Sequence, residues 1–195
     1  MRQFIVVARS APTTDDFSLD ALPEAGRMDL LARCVTASLL LSHGIRENVR
    51  THLVLDDEFT VRFDGSELRG LHPDERSTAA SIRAALAERS EAIGHVPAEV
   101  SSGVSIVRMG LEGTLDSLRA GSTIYRLHAE GEPIRETEIA DNPVFVLSNH
   151  ESLAETDAEL LAQYGDHRVS LGPESIHADH AIAVANNWMD LGAGE

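Results

Sequence analysis

Lysine is absent from this sequence of 195 residues, so all 16 basic side chains are arginine, and they face 32 aspartates and glutamates for a net charge of −16. A surface this acidic repels itself in dilute buffer. Excess carboxylate together with avoidance of lysine is typical of proteins that work in molar salt, as in halophilic archaea. An ordinary acidic protein is the alternative interpretation.

Cysteine and long apolar runs are also scarce. Cys34 is the single cysteine, which excludes intrachain disulfides and zinc sites built from cysteine. No run approaches the roughly 18 apolar residues of a membrane span. The short apolar run 4–8 predicts a first strand and not a signal peptide. We therefore expect a cytoplasmic protein without a membrane partner.

Strand and helix patterns alternate along the chain, without repeats or an internal linker. This alternation predicts an α/β fold with a parallel sheet and helices on both faces. Strands are predicted at 2–8, 51–55, 60–63, 104–107, 123–127, 144–147 and 167–171, and helices at 27–43, 73–90, 111–119, 154–164 and 175–191.

Three of the predicted strands end in polar or glycine-containing loops. These ends are "IYRLHAEGEP" after Leu127, "VFVLSNHES" after Leu147, and "VSLGPESI" around Gly172. Ligands of such sheets bind beyond the carboxyl ends of the strands, so the three loops together predict a pocket for a nucleoside-type ligand. Neither G-x-G-x-x-G nor a P-loop is present, which favours a ligand without phosphates, such as S-adenosylmethionine.

The segment from His177 to His180 allows a second interpretation. His177 and His180, three residues apart on one helix, could supply two metal ligands, with Asp179 off to one side, but the sequence nominates no third ligand. We therefore expect no metal, and we interpret these residues as the polar rim of the pocket. The apolar residues of the helix that follows are spread around it, which predicts burial on several sides, in a dimer interface or under another segment of the chain.

Four motifs together resemble a known family. "GRMDLLARCVTASLLLSHGIR", "GSELRGLHPDERSTAASIRAAL", "FVLSNHES" and "VSLGPESIHADHAIAVANN" are similar to those of the archaeal tRNA pseudouridine N1-methyltransferases (TrmY) of the SPOUT superfamily. The resemblance covers nearly the whole chain. It implies a single SPOUT domain over residues 1–195, with a parallel sheet, helices on both faces and a C-terminal trefoil knot in a cofactor-binding part at about 120–195.

The resemblance also implies an activity and its partners. The family uses S-adenosylmethionine to methylate N1 of pseudouridine 54 in the TΨC arm of tRNA, and SPOUT enzymes work as homodimers. Relatives often carry Gly where this chain has Ser148, and Cys where it has Ala181. Carried over residue by residue, the cofactor contacts fall on Leu127, Ser148, Leu171, Gly172, Pro173, Glu174, Ser175, Ile176 and Ala181.

Methyl transfer from a sulfonium needs alignment, and the proton on N1 of pseudouridine must leave. A carboxylate in the N-terminal motifs or a water could accept this proton. The candidates are Asp29, Glu67, Asp74 and Glu75, and the sequence does not choose among them. Structural interpretations compete with this role, because Asp29 can pair with Arg33, and Asp74 and Glu75 can cap a helix.

Any polyanion should meet the first half of the chain. Residues 1–100 hold 11 arginines against 16 acids, whereas residues 101–195 hold 5 against 16. We expect tRNA phosphates to bind Arg27, Arg33, Arg69, Arg76 and Arg83. Two alternatives stay open: methylation of a pseudouridine in ribosomal RNA, and an RNA-binding knot protein without activity.

Overall fold

The computed structural model of the protein describes residues 1–192, and its centre is an eight-stranded sheet. Ten strands are found in this range: β1 (Arg2–Ala8), β2 (Leu40–Leu41), β3 (Gly44–Ile45), β4 (Val49–Leu55), β5 (Phe59–Asp64), β6 (Ala98–Ser101), β7 (Val104–Val107), β8 (Thr123–Pro133), β9 (Pro143–Ser148) and β10 (His167–Ser170). The helices are α1 (Met28–Leu39), α2 (Glu75–Ala87), α3 (Leu111–Arg119), α4 (Glu155–Tyr164) and α5 (Ala178–Gly192).

The sheet is mixed, although most of it is parallel. Its strand order is β10-β8-β9-β1-β4-β5-β7-β6, and the five strands from β10 to β4 are mutually parallel. The prediction of a parallel sheet therefore holds for these five strands, whereas on the other side β5, β7 and β6 pair antiparallel. The cause is local, because the short turn between β4 and β5 can join only antiparallel neighbours.

Helices cover both faces of the sheet, as the alternation of patterns predicts. Phe4, Val6 and Ala8 of β1 pack under α1, α2 and α5, whereas Ile5 and Val7 pack under α3 and α4. This alternation follows from the two-residue period of a strand, and it gives the chain two apolar clusters with β1 between them. Within residues 1–192, no helix is both long enough and apolar enough to cross a membrane.

Several elements begin or end away from their predicted bounds. Helix α1 ends at Leu39, because Leu40–Leu41 turns back on Gly44–Ile45 as a small antiparallel pair. Apolar spacing alone cannot separate these two conformations. Strand β6 was not predicted at all, since it is a partly exposed edge strand with little apolar pattern. Strand β8 continues past Leu127 to Pro133.

Within the single chain helix α5 buries one face, so no other segment of residues 1–192 provides the burial on several sides that its apolar residues predict. Ala181, Ile182 and Ala185 are buried against α1, while Val184 and Leu191 remain exposed. The contacts with α1 include polar ones: the Asn186 side-chain amide donates to the carbonyl oxygens of Ala37 and Ser38. Arg2, at the start of β1, donates to Asn186 and Asp190.

Strand β10 pairs with β8 in two registers. His167 and Arg168 lie opposite Tyr125 and Arg126, but the next residue, Val169, lies opposite Glu132. The segment 127–131 is therefore looped out of the ladder. Gly131 returns the chain to β10 so closely that a Cβ there would lie 2.5 Å from the backbone carbon of Val169, which only glycine avoids.

A histidine is buried within the sheet. His52 on β4 is 4% exposed, and it lies opposite Ile5 of β1. Its Nε2 is 2.9 Å from Oε1 of Gln3, which lies two residues before Ile5 on the same strand. Burial, reinforced by Arg50 and Arg62, lowers the pKa of His52 to about 3. The ring is therefore neutral in the folded protein at any pH where the protein works.

The stability of the fold should fall when the medium becomes mildly acidic. Between the folded pKa of about 3 and an unfolded value of about 6.5, the unfolded chain binds a proton at His52 that the folded chain cannot bind. We expect the free energy of unfolding to decrease as the pH falls from about 6.5 to 5, by up to about 1.4 kcal/mol per pH unit. Replacing His52 with glutamine should flatten this slope, measured by denaturant unfolding at constant high salt.

The exposed His43 provides the matched control. The change His43→Gln should leave the pH dependence as steep as in the unmodified protein. An unchanged slope in His52→Gln would contradict the assignment of His52 as a histidine that must stay neutral.

Candidate cofactor and RNA site

A cavity of about 650 Å³ opens beyond the carboxyl ends of β9 and β10. Three segments form its walls: the looped-out residues of β8, the turn after β9, and the loop between β10 and α5. Its size is within the range of sites for small molecules and nucleoside cofactors. The lining residues are Arg126, Leu127, His128, Ala129, Glu130, Leu147, Ser148, Asn149, His150, Glu151, Ser152, Leu153, Leu171, Gly172, Glu174, Ser175, Ile176 and Ala181.

The structure brings the predicted cofactor residues to this one cavity. Eight of the nine positions line it, and Pro173 is the exception. Leu127 arrives there for a reason that the sequence did not indicate: it is where β8 leaves its pairing with β9, not where the strand ends. Ala181 comes from the first turns of α5, so its place depends on the packing of that helix on α1.

Gly172 has open space beside it. A Cβ built on this residue meets no atom within 4 Å, and its backbone is not in the left-handed region. A tight turn that needs positive φ is therefore not the reason for a glycine at this position. A larger side chain would meet open space at a residue that lines the cavity.

Two buried donors in the cavity wall have no hydrogen-bond partner within the described residues. They are Nε of Arg126 and Nδ2 of Asn149. Asn149 is 8% exposed, and its Oδ1 accepts from the backbone N–H of Glu151 at 3.2 Å, so only its donor end is free. Buried donors without acceptors are costly, and a bound ligand that supplies acceptors would satisfy them.

The histidines at the start of α5 lie beside the cavity. The rings of His177 and His180 are 6.0 Å apart, edge to face, and Nε2 of His180 is 3.9 Å from Oδ2 of Asp179. Residues 1–192 contain no group of three or more histidine, cysteine, aspartate or glutamate side chains arranged to hold a metal ion. Asp179 is instead paired with an arginine of α1.

That arginine, Arg33, joins three helices. Its guanidinium donates to Asp29 at 3.1 Å on α1, to Glu75 at 2.9 Å on α2, and to Asp179 at 3.0 Å on α5. Arg27 donates two further bonds to Asp29. Burial alone would raise the pKa of Asp29, but the bonds from the two arginines outweigh it, so the pKa is lowered and the carboxylate stays ionised.

The other two base candidates lie apart from this cluster. Asp74 caps α2, where its carboxylate accepts from the backbone N–H of Ser77 at 2.8 Å, and this bond lowers its pKa. Glu67 is exposed in the turn after β5. None of the four candidate carboxylates lines the cavity of its own chain. Cys34 is buried, and burial raises the pKa of its thiol, which makes it a poor nucleophile.

The five arginines that were predicted to bind RNA fall into two groups. Arg27, Arg33 and Arg76 form ion pairs, the last with Asp20. Arg69 and Arg83 have no carboxylate within 4.0 Å among residues 1–192, and Arg69 donates only to the carbonyl of Leu68. The charge of the second group is therefore available to a polyanion.

Sequence reasoning missed Arg126 and Asn149 as cavity residues. Asn149 stood in a quoted strand end, but nothing in the pattern showed that its donor would be buried without a partner. The sequence places Arg126 inside the strand predicted at 123–127. The signal that could have found it is a charged residue within an otherwise apolar strand, next to the predicted strand end at Leu127.

Known proteins are similar to this chain in sequence and in fold. Residues 1–192 match the family described as "Putative SAM-dependent RNA methyltransferase". The chain is 59% identical over 191 residues to the tRNA (pseudouridine(54)-N(1))-methyltransferase of Haloferax volcanii, covering 97% of this chain and 96% of that protein. It is 56% identical to the protein of that name from Haloarcula marismortui, covering 100% and 99%.

A solved structure shares the fold. Archaeoglobus fulgidus Nep1 bound to S-adenosylhomocysteine superposes with a TM-score of 0.66 over 98% of this chain and 99% of that one, at 16% identity. At this identity the likeness concerns the fold alone. The sequence matches confirm the resemblance that the four motifs indicated, and the chain belongs to the family of SAM-dependent RNA methyltransferases that includes the haloarchaeal tRNA (pseudouridine(54)-N(1))-methyltransferases.

Proposed function

We propose that the protein transfers the methyl group of S-adenosylmethionine to N1 of pseudouridine 54 in the TΨC arm of tRNA. The observation that carries the proposal is near-complete coverage at 56–59% identity to relatives named for this reaction, in a chain whose cavity collects the predicted cofactor residues. A tRNA substrate implies that the protein works in the cytoplasm.

The cavity has features that fit the cofactor. Its volume suits a nucleoside with an amino-acid side arm, and Gly172 leaves space beside the backbone. The buried donors of Arg126 and Asn149 could bind acceptor atoms of such a ligand. We propose that the cofactor is held by Leu127, Ser148, Leu171, Gly172, Pro173, Glu174, Ser175, Ile176 and Ala181.

When bound, the cofactor supplies an activated methyl group on a sulfonium. The chain's own residues then have to hold the target base in line with that methyl group and keep water away. A tRNA base inside the folded arm can reach the cavity only if it is flipped out of its stack. The apolar wall of Leu127, Leu171 and Ile176 is suited to contacts with an unstacked ring.

The proton on N1 needs an acceptor. Asp29 is held ionised with a lowered pKa, and a weak base is a poor acceptor at neutral pH. Asp29 and Glu75 are also occupied by Arg33, and Asp74 by its helix cap. We infer that a water molecule, or a carboxylate from a second copy of the chain such as Glu67, takes the proton.

We also propose that residues 1–195 form a single SPOUT domain, with a trefoil knot at about 120–195. Strand β10 lies at the edge of the sheet, beyond β8, and the chain must then return across the looped-out segment of β8 to pack α5 on α1 near the centre. Such a return is what threading of the C-terminal helix through a loop requires.

A homodimer is part of the proposal. The face of α5 that is turned away from α1 carries Val184 and Leu191, and Ile176 just before the helix is 45% exposed. Apolar side chains in a row on the outside of a strongly acidic protein mark a surface that another molecule covers. A second copy would cover this surface and bring its N-terminal motifs to the cavity.

The reaction can be tested directly. Purified protein, S-adenosylmethionine and tRNA that carries pseudouridine at position 54 are incubated in molar KCl, and the nucleosides are examined by mass spectrometry. We expect methylated pseudouridine in the tRNA and none in ribosomal RNA treated in the same way. Methylation of ribosomal RNA alone would replace the proposed substrate, and absence of any methylation despite cofactor binding would refute the activity.

Gly172 provides a test of the cofactor site. The change Gly172→Val should leave the thermal midpoint within about 2 °C, because the new side chain meets only open space, yet weaken S-adenosylmethionine binding by at least about tenfold in calorimetric titration. Gly44 provides the control, since a Cβ there also meets nothing within 4 Å and it lies outside the cavity. Normal cofactor affinity in Gly172→Val would move the site elsewhere.

The arginines provide a test of RNA binding. Arg69→Ala and Arg83→Ala should each weaken tRNA affinity about two- to fivefold and reduce the salt dependence by about one phosphate contact. Arg76→Ala should do less, because Asp20 offsets its charge. Arg135, which pairs with Glu136 in the acidic half, is the control. Equal losses of tRNA affinity in all four variants would mean that binding depends only on the net charge of the protein.

A further inference from the structure

The arginines of this chain are mostly paired with acids. Within residues 1–192, eleven of the 16 have a carboxylate within 4.0 Å: Arg2, Arg9, Arg27, Arg33, Arg46, Arg50, Arg62, Arg76, Arg89, Arg108 and Arg135. The remaining five are Arg69, Arg83, Arg119, Arg126 and Arg168. Among the residues that the structure describes, Arg126 is the one arginine that lines the cavity.

No carboxylate of residues 1–192 lies within 4.0 Å of the Arg126 guanidinium. Its Nε is buried without a hydrogen-bond partner, and burial lowers the pKa of its guanidinium. Its strand neighbour on β10 is Arg168, a like charge that lowers this pKa further. A partly buried cation beside another cation destabilises the free protein, which argues against a purely structural role.

The charges in the cavity can be compared with those of the cofactor. The side arm of S-adenosylmethionine carries two cations, the sulfonium and the ammonium, and one anion, the carboxylate. Three glutamates line the cavity, at positions 130, 151 and 174, and these suit the cations. The carboxylate needs a cationic donor, and Arg126 is the lining residue with a permanent positive charge and an unused N–H.

We propose that Arg126 binds the carboxylate of the methionine moiety of S-adenosylmethionine and thereby sets which end of the cavity receives the side arm. This inference rests on the proposed function, because it takes that cofactor as the ligand. A guanidinium and a carboxylate make short, charge-assisted hydrogen bonds, and a partly buried pair is screened less by molar salt than an exposed one. Arg126 is thus a cofactor-binding residue that discriminates amino-acid-bearing nucleosides from those that lack the carboxylate.

The test compares two ligands and three variants by calorimetric titration in molar KCl. The ligands are S-adenosylmethionine and its decarboxylated form, which keeps the sulfonium and the amine and lacks only the carboxylate. We expect the unmodified protein to bind S-adenosylmethionine about ten- to a hundredfold more tightly than the decarboxylated form. In Arg126→Gln this preference should disappear through loss of affinity for S-adenosylmethionine alone, and Arg126→Lys should keep part of it.

Arg168→Gln is the matched control. It removes the same charge from the facing residue on β10, outside the cavity, and should keep the preference of the unmodified protein. The thermal midpoint of ligand-free Arg126→Gln should be equal to or higher than that of the unmodified protein, because an unpaired, partly buried cation is removed. This measurement separates a lost contact from a damaged fold.

The outcomes are distinct. Equal loss of affinity for both ligands in Arg126→Gln, or a preference that survives it, would overturn the proposal. Unchanged cofactor binding with weaker tRNA binding would assign Arg126 to an RNA phosphate instead and would also overturn it. If the unmodified protein binds neither ligand, it is the proposed function itself that fails.

Discussion

The attachment of α5 to α1 is the constraint on which the site depends. Near its first turn α5 is held by the pair between Asp179 and Arg33, and further along by Asn186, whose amide donates to two carbonyls at the end of α1. Ala181 reaches the cavity from between these two anchors. Because Arg33 also binds Asp29 and Glu75, a shift of α5 would disturb α1 and α2 together.

The second requirement is a break in an otherwise regular ladder. Strands β8 and β10 are in register as far as Arg126 and Arg168, and five residues then leave the sheet before pairing resumes at Glu132. This excursion opens the cavity and supplies one wall of it. Gly131 makes the return possible, since any side chain there would collide with the backbone of Val169.

Much of the fold could be predicted from the sequence, because its signals are local. The periodicity of apolar residues around β1, α1, α3 and β9 reflects burial on one or two faces, and the four motifs indicated the family. The antiparallel pairing of β5 with β7 could not be predicted, since it joins residues far apart in the chain. The end of α1 and the edge strand β6 were missed because apolar spacing does not mark them.

The candidate site, like the fold, could be predicted only in part from the sequence. The three strand ends could be recognised, and the structure brings them together, but no spacing rule indicates that a donor such as Nδ2 of Asn149 will be buried unpaired. The pair between Asp29 and Arg33 was indicated by its spacing, but the pairing of Arg33 with Asp179 was hidden, because Asp179 lies 146 residues further along the chain. Long-range contacts thus decide which charged residues are structural.

Every basic residue of the chain is an arginine, so all of these long-range ion pairs use the same guanidinium group. With twice as many carboxylates as cations, an arginine can serve several acids at once through its planar set of donors, as Arg33 does with three. In such a protein an arginine without a carboxylate is the exception that requires a cause. Where that arginine is exposed, water and salt suffice; where it is partly buried at a cavity wall, as Arg126 is, a negatively charged ligand is the remaining way to satisfy it.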